Sequence, residues 1–195
     1  MSSSHIALPP PLVDGQLSLE AAIAHRCRVS PYVEVQLAAE EIGQLLWAAH
    51  TVPDTHKGTS GATRLNLYAC RGDGVWRYHP LEHCLTRHLN TDVRGILSDA
   101  AQNRWFIGQA PSVLVISTSP RRIAGDKHGQ IQQLRYPPIE AGRAVERILL
   151  QASALGLASV PVSEFDSERV RHALILSRQE EPMYLLPVGW PAQGD

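Results

Sequence analysis

The chain has 195 residues, 44% hydrophobic and 19% charged, enough to bury a real core as one domain. With 18 Lys and Arg against 19 Asp and Glu the formal net charge is -1, which excludes a broad electrostatic footprint for nucleic acid or an anionic membrane; a bound anion must be held locally. No apolar run approaches the ~20 residues of a membrane-spanning helix, and the opening MSSSHIALPPP lacks the basic and apolar parts of a signal peptide, so a soluble cytoplasmic protein is expected.

Residues 1–16 read as an extended arm. Their first dozen positions, rich in Ser and Pro, are expected to join neither a ladder nor a helix interior, because proline lacks an amide donor and fixes its own backbone angle. Ser18 is a candidate N-cap for a short helix running to about Cys27, with Glu20 in the first turn where the helix dipole favours negative charge. Pro31, Val33 and Val35 break that pattern. A second helix follows from Leu37 to Ala49, with Leu37, Ile42, Leu45, Leu46 and Ala49 on one face. Pro53, Asp54, Gly58, Ser60 and Gly61 make residues 51–63 a loop.

Two short segments, 65–70 and 75–79, predict a hairpin closed by Arg71-Gly72-Asp73-Gly74. Residues 92–102 read as helix. The run Ser112-Val113-Leu114-Val115-Ile116-Ser117 is apolar without alternation, as in a strand covered on both faces, and is expected at the sheet centre. Residues 121–137 read as polar and irregular. Val145, Ile148, Leu149, Ala152 and Leu155 define the longest core helix, 139–155, ended by Gly156. A brief strand at 158–162, a helix at 166–176 capped by Asp166 or Ser167, and a last strand at 183–188 complete the domain. Strands separated by helices, with one hairpin, imply a sheet packed between helical layers. A single domain over 17–191 and a tail over 192–195 are expected.

Cys27, Cys70 and Cys84 are an odd set without C-x-x-C spacing and read as free thiols. Cys27 stands between two arginines that would lower its pKa, but the sequence names no base to use it as a nucleophile. His79, His83, Cys84 and His88 lie at intervals that invite a zinc or copper reading; a strand-turn-strand segment does not converge such ligands, so no metal is expected. Trp47, Trp76, Trp105 and Trp190 read as core or interface anchors. Arg143, Glu146 and Arg147 at one-turn spacing are ordinarily a solvated helix face.

Several short strings taken together go further. Leu17 to Arg26, Gln44 to His50, Val75 to Pro80, Glu140-Ala141-Gly142, Leu150 to Val162 and Glu181 to Gly189 resemble the nitroreductase superfamily, and within it the SagB-type azoline dehydrogenases. The resemblance spans about Leu17 to Pro191. It implies an α+β fold with a mixed four- or five-stranded sheet flanked by helices, an intertwined dimer, and FMN bound at the subunit interface. The partner would be a second copy or a heteromeric one. The protein would supply position and electrostatics to hydride chemistry on the flavin.

The same resemblance implies a cofactor site at Arg26, Arg28, Ser30, Ser60, Gly61, Pro161, Ser163 and Glu164. The family's Arg-Arg-Ser-x-Arg phosphate string is here Arg26-Cys27-Arg28-Val29-Ser30, and guanidinium forks suit a phosphate dianion. Its flavin loop is shortened to Thr59-Ser60-Gly61-Ala62-Thr63. A Gly-Gly pair is replaced by Ser163-Glu164, which sets one negative charge where backbone approaches the ring. Trp190 stands where an arginine is usual, and Arg104 where relatives tend to have glutamine.

Lys127-His128-Gly129 before Arg135-Tyr136 matches the SagB-type Lys-Tyr-Gly string with histidine for tyrosine. That implies Lys127 and His128 as catalytic residues, one polarising a carbonyl and the other accepting a proton. The expected activity is an FMN-dependent dehydrogenase acting on a peptide-derived or other small biosynthetic intermediate. The alternative is an FMN-free member of the fold, serving as a cofactor-independent acid–base enzyme or a scaffold partner. A general nitro- or quinone-reductase ranks below both.

Overall fold

A computed structural model describes the backbone of residues 4–25, 31–50, 63–120 and 127–192, and all their side chains except 63, 64, 120 and 127–134. The strands are β1 (His5–Ala7), β2 (Thr63–Arg71), β3 (Gly74–His79), β4 (Cys84–Leu89), β5 (Ser112–Pro120), β6 (Ala158–Ser159) and β7 (Glu181–Gly189). The helices are α1 (Leu19–Ala24), α2 (Ala39–His50), α3 (Arg94–Ala100), α4 (Trp105–Gln109), α5 (Lys127–Ala154) and α6 (Ser167–Ala173). They form the α+β class expected, with a sheet of 7 strands ordered β1-β4-β3-β2-β5-β7-β6. The sheet is larger than the four or five strands the resemblance implied, and its pairings are antiparallel.

The apolar run of β5 explains the layering. Leu114 and Ile116 point into a core shared with Ile42, Leu45 and Leu46 of α2 and Ile148 and Leu149 of α5. Val113 and Val115 enter a second core with Leu97 of α3, Ile107 of α4 and Val170 of α6. A strand that feeds helices on both faces has no solvated side and therefore shows no alternation. The strand is interior, between β2 and β7.

Local chemistry sets the ends of the elements. Ser18 caps α1 by accepting the Ala21 amide at 3.1 Å. Asp166 caps α6, accepting from Arg169 at the same 3.1 Å. The β2–β3 turn ends at Gly74 with φ of 129°, where an added Cβ would sit 2.3 Å from the Leu89 carbonyl, so only glycine fits. Gly156 ends the long helix at φ 73°.

Three expectations are corrected. The arm does join a ladder: its prolines begin at position 9, so His5–Ala7 keep their amides and pair with β4, Ile6 opposite Leu85. The segment after β5 is not irregular to Pro137, because α5 starts at Lys127 and runs through Pro137 and Pro138. Arg135, Tyr136 and Pro138 are exposed there, so water can serve carbonyls that lose an amide donor to proline. The strand expected at 158–162 is a two-residue β6, followed after Pro161 by one bridge from Val162 to Leu185. The helix α4 has no counterpart among the sequence expectations.

Candidate functional site

Pro161, Ser163 and Glu164 lie in the segment from β6 to α6, which is fastened at both ends. Val162 exchanges two backbone hydrogen bonds with Leu185, each of 2.9 Å, and the Asp166 amide donates to the Ala100 carbonyl at 2.9 Å. Phe165 packs against the second core. Between these ties the Glu164 carboxylate accepts Arg104 Nη2–H at 2.6 Å. The glutamate side chain is 74% exposed and the arginine 34%. At the base of the segment the buried Ser159 hydroxyl has no hydrogen-bond partner among the described residues.

This arrangement bears on whether FMN fits. A bare carboxylate against an electron-rich ring would oppose binding. Here that charge is both solvated and neutralised by a guanidinium, and Ser159 offers an uncommitted donor close by in the chain. Two departures from the family's pattern, Arg104 and Glu164, thus offset each other. The residues present here are compatible with the flavin.

Arg26, Arg28, Ser30, Ser60 and Gly61 lie outside the described residues, as do Cys27 and most of the 51–63 loop. The described chain resumes at Pro31, clasped to the exit of β7. Ala192 N–H donates to the Pro31 carbonyl at 2.7 Å, and Val33 N–H to the Trp190 carbonyl at 2.9 Å. Gly189 permits this closeness, since a Cβ there would lie 2.5 Å from Pro111 and 2.9 Å from Tyr32. The Trp190 indole packs at the edge of the first core, near Gly156.

Lys127 and His128 occupy the first turn of α5 rather than a loop. Nothing described joins them to Glu164.

A cavity of about 1090 Å³ opens elsewhere, between the strap leading into α1 and the helices α2 and α5. Leu12, Val13 and Leu17 line it from the strap, Leu19 from the start of α1, Trp47 and Ala48 from α2, and Arg147, Leu150 and Gln151 from α5. Of the expected site residues whose side chains are described, Pro161, Ser163 and Glu164, none lines it. Gln44 fixes the strap by bonding the Leu12 amide at 2.9 Å and its carbonyl at 2.8 Å. Of the charges on α5, Arg143 pairs with Glu140 at the surface, and Arg147 faces this cavity.

Glu180, 7% exposed, was not singled out by the sequence. It accepts the Tyr68 hydroxyl at 2.9 Å and the Ser117 hydroxyl at 2.5 Å on one carboxylate oxygen. Burial, and then the charge of Glu180, push the Tyr68 phenol well above its ordinary range, so it acts as a donor and not as a base. The only sequence hint was an acidic pair before a strand, which ordinarily marks solvated surface.

The histidines of the suspected metal string have separate partners. His83 donates from Nε2 to the Pro9 carbonyl at 2.8 Å and meets Tyr78 Oη through Nδ1 at 2.9 Å. His88 donates to the Leu174 carbonyl at 2.7 Å, and His79 contacts Thr86 Oγ1, also at 2.7 Å. Burial pushes both the Cys70 and Cys84 thiols up, which makes them poor nucleophiles. Among the described residues no group of three or more His, Cys, Asp or Glu is placed to hold a metal ion, and no helix is long and apolar enough to cross a membrane.

Residues 23–190 match the family model described as "Nitroreductase family". A Methanocaldococcus jannaschii protein that carries a nitroreductase name is 32% identical over 189 residues, covering 89% of this chain and 91% of that one. A crystal structure from Ralstonia eutropha, likewise named for the nitroreductases, superposes with a TM-score of 0.80 at 24% identity, over 99% of this chain and 92% of that one. One from Anabaena variabilis gives 0.79 at 18% identity, over 96% of this chain and 42% of that one. These likenesses show a shared fold.

Proposed function

The chain belongs to the nitroreductase family, and from that premise we propose that it is an FMN-dependent oxidoreductase, in its finer reading a SagB-type dehydrogenase of a peptide-derived or other small biosynthetic intermediate. Residues 17–191 form its catalytic domain, flanked by the arm 1–16 and the tail 192–195, and it works as a dimer. Arg26, Arg28 and Ser30 hold the cofactor phosphate. Ser60 and Gly61, with Pro161, Ser163 and Glu164, would hold the ring. The chemistry supplied by bound FMN is acceptance of a hydride.

The protein's own groups handle charge and protons. Lys127 polarises a substrate carbonyl, which acidifies the neighbouring C–H, and the His128 imidazole accepts the proton that leaves as hydride is removed.

The observation that carries the flavin reading over the cofactor-free one is the Arg104–Glu164 pair at 2.6 Å, which removes the charge objection to a flavin at that loop. Purified protein should be yellow and release stoichiometric FMN on heating. Colourless protein that takes up no added FMN would reject the reading. The Lys127→Ala and His128→Ala variants should still bind FMN and lose turnover; full turnover in both would remove the assigned roles.

A further inference from the structure

We infer that Arg104 is a positioning residue that tunes the affinity and reduction potential of FMN through Glu164, an inference that rests on the flavin reading above. Three ties fasten the 160–166 segment. Two are made by the backbone and carry no charge: the Val162–Leu185 pair of bonds and the Asp166 to Ala100 bond. The Arg104–Glu164 contact lies between them, joins residues 60 apart in sequence, and is the tie that carries charge.

The backbone that presents Arg104 is unusual. Gln102 and Asn103, immediately before it, both have φ of 59°. Asparagine tolerates the left-handed region, but glutamine does so at a cost, and such conformations persist where the surroundings impose them. Here the turn is held from three sides. Asn103 N–H donates to the Ser98 carbonyl at 3.0 Å, Ser98 Oγ donates to the Arg104 carbonyl at 3.0 Å, and Ile107 N–H donates to that same carbonyl at 3.0 Å. A strained, braced turn delivers one guanidinium to one carboxylate.

The electrostatic consequence follows from charge counting. With Arg104 in place, Glu164 adds no net charge beside the ring. Without it, an uncompensated carboxylate faces a cofactor that carries an anionic phosphate and gains further negative charge on reduction. Binding weakens, and the reduced form is penalised more than the oxidised one, so the potential becomes more negative. Exposure of the pair to water limits the size of the effect. A loss of about threefold to fivefold in FMN affinity is expected, the range that exposed pairs reach.

The test compares wild type with Arg104→Ala, Arg104→Lys, Glu164→Ala and the Arg104→Ala/Glu164→Ala double variant. FMN titration of the apoproteins, spectroelectrochemical midpoint potentials and amide exchange of residues 160–166 are the three readouts. The inference expects Arg104→Ala to weaken FMN, to shift the potential negative and to speed exchange in the segment. Arg104→Lys should retain most of the potential. Removing Glu164 as well should return the potential toward that of wild type, because no bare charge is left. Equal potentials in Arg104→Ala and the double variant would overturn the inference while leaving flavin binding intact. Failure of wild type to bind FMN would instead overturn the flavin reading itself.

Discussion

Glu164 and Glu180 flank α6 and are satisfied in opposite ways. Glu180 is buried, and two neutral hydroxyls, from Tyr68 and Ser117, meet its carboxylate. Glu164 stands in water and is met by a guanidinium. A buried carboxylate is tolerable only while its hydrogen bonds are complete, and each buried hydroxyl that loses its acceptor is penalised in turn. An exposed ion pair adds little to folding, because water competes for both partners. The comparison separates two uses of one residue type. Glu180 binds β2, β5 and the entry to β7 together, whereas Glu164 can be changed at small cost to the fold and so is free to serve a ligand.

The largest effect should come from the buried member. Glu180→Ala orphans the Tyr68 and Ser117 hydroxyls and should destabilise the fold by about 2–4 kcal/mol. Glu180→Gln, which keeps an acceptor, should cost less. Denaturant unfolding measures both, and the contrast between the two acids collapses if Glu180→Ala costs no more than Glu164→Ala. Tyr68→Phe comes next at about 1–2 kcal/mol, since it deletes one donor and leaves Ser117 to hold the carboxylate. If it proves neutral, the phenol is packed there and not bonded.

The layers around these acids were far more legible in the sequence than the acids' partners. The uninterrupted apolar run from Ser112 to Ser117 announced a strand buried on both faces, and the spacing of Val145, Ile148, Leu149 and Ala152 announced the helix that covers one of them. Periodicity reports one element's environment, so it reads both well. It failed in the stretch before Ile139, read up to position 137 as polar and irregular, where α5 runs on through Pro137 and Pro138 and solvent tolerates the lost amide bonds. It was also silent on α4, whose five residues are too few to show a period. Resemblance to relatives placed Glu164 in a ligand loop and marked Arg104 as unusual, but only the fold reveals that the two side chains meet. Five of the ten expected site residues, Arg26, Arg28, Ser30, Ser60 and Gly61, fall outside the described residues.

Burial and pairing can also be separated by pH. Burial lowers the His50 pKa below 6.5, even though His50 lies in the last turn of α2, where the helix dipole favours a cation. Between that lowered value and 6.5 the unfolded chain binds more protons than the folded one, so stability from this residue is full above 6.5 and lost as pH falls through that window. Asp92 is the paired case: hydrogen bonds from Arg94 hold its carboxyl below the ordinary 3.8, so its contribution is present above that value and disappears only in stronger acid. Thermal melts should then show a loss as pH falls below 6.5 that His50→Gln flattens and Asp92→Asn leaves in place. A melt profile unchanged by His50→Gln would remove the burial argument.

The smallest expected change in stability belongs to the residue assigned the larger role at the cofactor. Arg104→Ala breaks a contact whose acid is mostly exposed, so it should cost less than about 1 kcal/mol in unfolding. A bare Glu164 carboxylate in water is no great penalty by itself. Next to a bound anion it is one, and the same substitution should therefore register in FMN affinity and in the midpoint potential as well as in the melt. High salt should shrink the FMN effect, since screening acts on exposed charges first. A variant that melts several degrees lower and binds FMN unchanged would reverse this assignment, making the braced turn at Gln102 and Asn103 a device of the fold and Arg104 its anchor.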